Sequence, residues 1–139
     1  MKKTRLIVEY DYEFGLLGII SSVKFYKLAW AINNKLNINL IKEEDLLLDI
    51  KRNKNVTFSI YGFQSDHSNL QLYRNKCEGG EKEFLIPEMS HLDYIIKIDE
   101  NSQSFAIEEV LKALREVKWI EYIALIDVDN LKSKDNFLN

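Results

Sequence analysis

The sequence predicts an α+β domain: a two-layer sandwich in which an antiparallel meander and a C-terminal βαβ unit build the sheet, with two helices on one sheet face. Three observations lead there. Apolar residues recur at three- and four-residue spacing in two separated stretches, residues 23–36 and 107–114. Between them, short runs alternate apolar and polar residues with period two, divided by turn-forming clusters. After the second helical stretch, residues 120–126 are apolar apart from Glu121, as a strand covered on both faces would be. Strand order is left open by these patterns.

In chain order, Leu6, Val8, Tyr10 and Tyr12 alternate with Ile7, Glu9 and Asp11, which reads as a first strand. Leu16-Leu17-Gly18-Ile19-Ile20 follows as a buried strand, with Gly18 permitting close approach of a neighbour. Ser21 or Ser22 is placed to cap the helix, and Asn37 to end it in the left-handed region. Phe25, Leu28, Ala29, Ile32 and Leu36 form the buried stripe. Tyr26, Trp30 and Asn33 form a second stripe beside it, either an aromatic docking surface with an amide for specificity or further core. Burial energy of large rings favours core.

Residues 45–51 and 56–61 read as strands, and Leu70-Gln71-Leu72-Tyr73 as a return strand after a polar turn at 64–69. Glu78-Gly79-Gly80-Glu81 is the clearest turn, because glycine supplies positive φ. Ser102 or Ser104 is placed to cap the second helix. Ile107, Val110, Leu111 and Leu114 form its apolar stripe, and Glu108 and Lys112 stand at i and i+4 on its wet side.

The single proline lies in Leu85-Ile86-Pro87-Glu88-Met89-Ser90-His91-Leu92-Asp93-Tyr94. Pro87 has no N–H and fixes its own φ, so it marks a strand end. From Leu92 to Ile98 the period is two, with Leu92, Tyr94, Ile96 and Ile98 on one face. Asp93 and Lys97 share the other and are placed to ease each other's charge. Ile86-Pro87-Glu88, three further residues, then Leu92-Asp93-Tyr94 resembles the signature of the IPExxxVDY family, small proteins of Bacteroidetes-type bacteria, with Leu92 where the signature has valine. Ser21-Ser22, Tyr26, Leu28, Trp30 and Asn33 resemble that family's first-helix pattern. The closing Leu131-Lys132-Ser133-Lys134-Asp135-Asn136-Phe137-Leu138 resembles its C-terminal motif. The resemblance implies a bacterial protein and supplies no biochemical activity.

At 139 residues the chain is long enough to bury roughly 70% of its unfolded surface in one domain. That domain is read as residues 1–128, followed by a polar tail at 129–139. A hydrophobic content of 46% with 29% charged residues is that of an ordinary globule. A net charge of −3 disfavours duplex nucleic acid, whose affinity comes largely from neutralised phosphates. Lys51-Arg52-Lys54, with Asn53 and Asn55, reads as a solvated turn. One cysteine excludes an intramolecular disulfide. No apolar run approaches the ~20 residues that span a bilayer. Glu9, Asp11 and Glu13 interrupt any leader-type apolar region, so a cytoplasmic protein without membrane insertion is expected.

For chemistry, Glu88 and Asp93 are the best carboxylate candidates. If residues 89–92 fold back the two meet, and one pKa rises toward a small-molecule-binding or hydrolytic role. In the competing reading, Glu88 accepts backbone N–H groups in its own loop while Asp93 pairs with Lys97, and this one is favoured. Cys77 has no base placed locally, and His67, His91, Asp66 and Cys77 show no metal-ligand spacing. No catalytic residue, metal or cofactor is therefore assigned. The expected role is a protein-interaction module or adaptor with a protein partner or a homodimer. Pro87, Glu88, Asp93, Tyr94, Tyr26, Trp30 and Asn33 are the candidate motif. Leu131, Phe137 and Leu138 are candidate tail contacts that pack on their own domain, complete a dimer or order on a partner.

Overall fold

The computed structural model describes residues 13–50, 54–80, 82–99 and 106–138. The strand expected at Leu6–Tyr12, the turn residues Lys51, Arg52, Asn53 and Glu81, and the caps expected at Ser102 or Ser104 lie outside the described residues.

Among the described residues, eight strands and two helices form an α+β domain in the order β1 (Phe14–Ile20), α1 (Phe25–Leu36), β2 (Ile41–Lys42), β3 (Leu46–Ile50), β4 (Lys54–Phe58), β5 (Ile60–Gln64), β6 (Asn69–Arg74), β7 (Tyr94–Asp99), α2 (Ile107–Leu114) and β8 (Tyr122–Ile126). Six strands make one sheet in the order β2-β5-β6-β7-β1-β8, every neighbouring pair antiparallel. The meander is β5-β6-β7. The βαβ unit is present in split form: β7 and β8 both run antiparallel to β1, which lies between them.

Both helices cover one face. Leu28, Ala29 and Ile32 of α1 and Val110 and Leu114 of α2 pack on Leu17, Ile19, Leu70, Leu72, Ile96 and Ile98. Alternation in β7 sends Tyr94, Ile96 and Ile98 to this face and Ile95 to the other. Leu92, expected on the helix face, sits before the strand begins and packs into the opposite core. It fills the space that a side chain at Gly18 would need: a Cβ there would stand 2.5 Å from Leu92 Cδ1. The close approach expected at Gly18 is thus to a side chain.

The second face is closed by irregular structure. The β3–β4 hairpin brings Val56 and Phe58, the connection from β6 to β7 brings Cys77, Leu85 and Ile86, and the C-terminal segment brings Leu131 and Phe137. The run at 56–61 is not one strand. It breaks at Ser59, whose carbonyl accepts the Arg74 N–H, so β4 leaves the main sheet for the hairpin while β5 stays. The alternation survives the break because Phe58 and Ile60 both face the second core. Strand β8 departs from expectation too. Among the described residues it forms a sheet edge, and Tyr122 and Leu125 are 51% and 54% exposed. Its cover is partial: Ile123 packs into the helix-side core and Ile126 into the second core, while Tyr122 and Leu125 stay exposed.

Helix α1 ends at Asn37 with φ 56 and ψ 50, the left-handed stop expected from sequence. Its start differs. Lys24 stands at the cap position and no side chain caps the helix. Ser21 is recruited elsewhere, as described below.

Candidate functional site

The residues around Pro87 form a clasp. Pro87 opens a short 3-10 turn at Pro87–Met89, where its missing N–H costs nothing. Glu88 projects from this turn and its Oε2 accepts the Ser133 N–H at 3.0 Å, 45 residues away. Partial burial alone would raise the Glu88 pKa. The backbone N–H groups of Glu88, Ser133 and Lys132 outweigh it and hold the carboxyl below its ordinary value. Asn136 Nδ2 donates to the Leu85 carbonyl at 2.8 Å, fastening the same two segments a second time.

Asp93 points to another part of the chain. Its Oδ2 accepts the Ser21 N–H at 2.9 Å, and the Asp93 N–H donates to the Ile19 carbonyl, locking β7 to the end of β1. The pairing of Asp93 with Lys97 expected from their spacing does not occur. Lys97 is 9% exposed on the second face, its Nζ donates to the Phe137 carbonyl at 2.6 Å, and it lies 4.9 Å from the Phe14 ring centroid. Burial lowers the Lys97 pKa, and the Asp99 carboxylate pulls it partly back.

Tyr94 completes the motif. Its hydroxyl donates to the Val23 carbonyl at 2.6 Å and its ring stacks on Phe25 at 5.3 Å, so it sets the approach to α1. Burial, then the Asp93 charge, raises the Tyr94 pKa, and Arg74 opposes them. Each polar member of the motif therefore holds backbone: Glu88 the C-terminal segment, Asp93 the exit of β1, Tyr94 the entry to α1. Glu88 and Asp93 engage separate segments, and neither lines the hollows at Trp30, Gly15 or Gly18.

Sequence patterns missed the centre of this clasp. Asn75 is fully buried and bonds three backbone groups of the proline stretch. Nδ2 donates to the Met89 and Leu92 carbonyls at 3.1 and 2.9 Å, and Oδ1 accepts the Ile86 N–H at 2.9 Å. Nothing local distinguishes Asn75 from a solvated residue after a strand, because all three partners come from a loop more than ten positions on.

The C-terminal segment is docked on its own domain. Leu131 and Phe137 are 4% and 1% exposed, and Phe137 meets the Tyr73 ring edge-on at 5.3 Å and the Phe14 ring at 6.3 Å. Of the candidate tail contacts, Leu138 alone is exposed. The polar segment at 129–138 thus belongs to the second core and does not hang free of a domain ending at 128.

The second constellation lies on α1. Asn33 is satisfied at home, Oδ1 accepting the Leu40 N–H at 2.7 Å and Nδ2 donating to the Leu40 carbonyl at 3.3 Å. Tyr26 and Trp30 are not core. They are 59% and 61% exposed, because the buried stripe of α1 runs through Leu28, Ala29 and Ile32 and leaves positions 26 and 30 on the outer flank. Trp119, unremarked in sequence, lies 6.1 Å from Trp30 between ring centroids. It is held there by Ser21, whose hydroxyl donates to the Trp119 carbonyl at 2.5 Å. Lys27 Nζ and Lys118 Nζ lie 5.3 and 5.8 Å from the centre of the Trp119 ring.

The remaining candidates carry little chemistry. Cys77 is 1% exposed inside the second core, and His67 and His91 are exposed. Among the described residues, no three His, Cys, Asp or Glu side chains gather as metal ligands, and no helix is long and apolar enough to cross a membrane. No family model matches the sequence, and neither a curated protein nor a solved structure matches it.

Proposed function

We propose that this chain is a protein-contact module or adaptor of the bacterial cytoplasm, of the IPExxxVDY kind that its motifs resemble. One observation carries the reading: the polar groups of the motif are spent on holding backbone, while large aromatic side chains are left on the surface of α1. Exposed tryptophan and tyrosine cost solubility and are the residue types that dominate contact energies. The alternative, ligand binding or hydrolysis through Glu88 and Asp93, needs those carboxylates to converge on a cavity. Their bonds to Ser133 and Ser21 work against it.

The test places a photo-crosslinking amino acid at position 26 and, as a control, at Asp66, an exposed residue in the turn between β5 and β6. A discrete protein adduct from position 26 alone supports the reading. Equal labelling from both sites rejects it. A second reading, self-association, is favoured by β8. That edge is uncharged over five residues with exposed Tyr122 and Leu125, whereas the other edge, β2, is two residues long and followed by Glu43, Glu44 and Asp45. Light scattering on the wild type and Leu125→Lys decides it: a dimer lost in the variant supports edge pairing, and a monomeric wild type rejects it.

A further inference from the structure

The groove between α1 and the segment that follows α2 has a definite chemical character. Its volume is about 470 Å³, and its walls are Trp30, Ala31, Val117 and Trp119. At one end the Lys35–Glu116 ion pair, 2.6 Å long, closes the rim. Along the side of the Trp119 ring stand Lys27 and Lys118, and Lys24 lies one helical turn before Lys27. Among the described residues no carboxylate pairs with Lys24, Lys27 or Lys118. The chain as a whole is acidic, with net charge −3, so a cationic rim around an apolar slot stands out against its background.

We infer that this groove binds an acidic peptide segment carrying one large apolar side chain, the apolar group packed against the Trp30–Trp119 pair and the carboxylates on Lys24, Lys27 and Lys118. The inference rests on the contact-module reading and names the chemistry of its partner. Charge complementarity selects the occupant. Lys27 and Lys118 beside the apolar slot, with Lys24 one turn before Lys27, match carboxylates flanking an anchor side chain. A single-stranded nucleic acid would also use rings and cations, but it needs a continuous cationic track. Glu116 interrupts the rim here, and no arginine stands among the groove's residues.

The chain contains two tryptophans, and both lie in this groove, so their emission reports on it alone. The probe is a synthetic octapeptide of aspartate and glutamate around a central leucine-phenylalanine pair. It is titrated against the full chain alongside the same peptide with lysine in place of the acids, the same peptide with serine in place of the apolar pair, and oligothymidylate. The expected result is saturable change in tryptophan emission with the acidic-apolar peptide only, weakened by added salt. By labelled-peptide anisotropy, Lys27→Glu and Trp30→Ala should each weaken it about tenfold or more. Both positions are exposed, and an unchanged thermal midpoint verifies that the variants fold.

Equal binding of the lysine peptide, no binding of the acidic one, or tighter binding of oligothymidylate overturns the inference. Crosslinking from position 26 separates the two levels. A specific adduct without acidic-peptide binding removes the partner chemistry and leaves the contact module standing, and absence of both removes both.

Discussion

Replacing Phe137 by alanine tests whether the C-terminal segment is structural or a free contact device. The ring is 1% exposed, edge-on to Tyr73 at 5.3 Å and 6.3 Å from Phe14, and the carbonyl of the same residue receives the buried Lys97 ammonium. Truncating a buried phenylalanine costs about 3–5 kcal/mol, transfer and cavity together. Loss of the ring also loosens the segment that holds the Phe137 carbonyl against Lys97. This places the cost toward the upper part of that range. For a chain of this size, about 3–4 °C in Tm follows per kcal/mol, so Tm should fall by about 12–20 °C. Leu138→Ala, one residue on at an exposed side chain, should change stability by no more than about 0.5 kcal/mol. The assay is urea denaturation of both variants beside the wild type, followed by circular dichroism, with m values compared to verify the same transition. A loss below about 1 kcal/mol for Phe137→Ala would refute the docked segment and return it to the role of a detachable contact.

Asn75→Ala should cost about 3 kcal/mol or more in the same assay, because it leaves the Met89 and Leu92 carbonyls and the Ile86 N–H without their side-chain partner; a loss under about 1 kcal/mol would show that the proline stretch holds itself. Glu88→Gln should cost no more than about 1 kcal/mol at pH 7, since the carboxylate is largely exposed. The folded-state pKa of Glu88 is lowered, so its contribution is complete above the unfolded value of about 4.3 and disappears as pH falls through the folded value. The stability difference between wild type and Glu88→Gln should therefore shrink between pH 6 and about pH 3, and a difference that grows on acidification would contradict the clasp. Gly18→Val should destabilise by about 1–3 kcal/mol through collision with Leu92, and adding Leu92→Ala should recover part of that loss; additive double-mutant behaviour would show that the two positions do not touch.

Much of the architecture could be read from local pattern. The apolar stripes of α1 and α2, the alternation of β6 and β7, the left-handed stop at Asn37 and the positive φ of Gly79 and Gly80 are each set by a few neighbouring residues. The errors share one cause. Burial energy by itself favours Tyr26 and Trp30 in the core, yet which flank of a helix meets the sheet depends on where the sheet is. The run at 120–126 has the composition of a strand covered on both faces, but cover depends on distant segments and reaches Ile123 and Ile126 while leaving Tyr122 and Leu125 exposed. Period two would put Asp93 and Lys97 on one strand face, but β7 begins at Tyr94 and Asp93 lies before it. Their partners, Ser21 and Phe137, come from segments 72 and 40 residues away.

By itself the sequence determined an α+β domain, because periodicity is a property of residues three or four, or two, apart. It also marked the segment around Pro87, through an imino acid that must interrupt a ladder. The tertiary structure alone decided which distant backbone Glu88 and Asp93 hold, that the polar C-terminal segment closes the second core, and that two tryptophans 89 positions apart share one groove. Those outcomes depend on which distant segments the sheet order brings together, and β1, inserted between β7 and β8, is the strand that brings them.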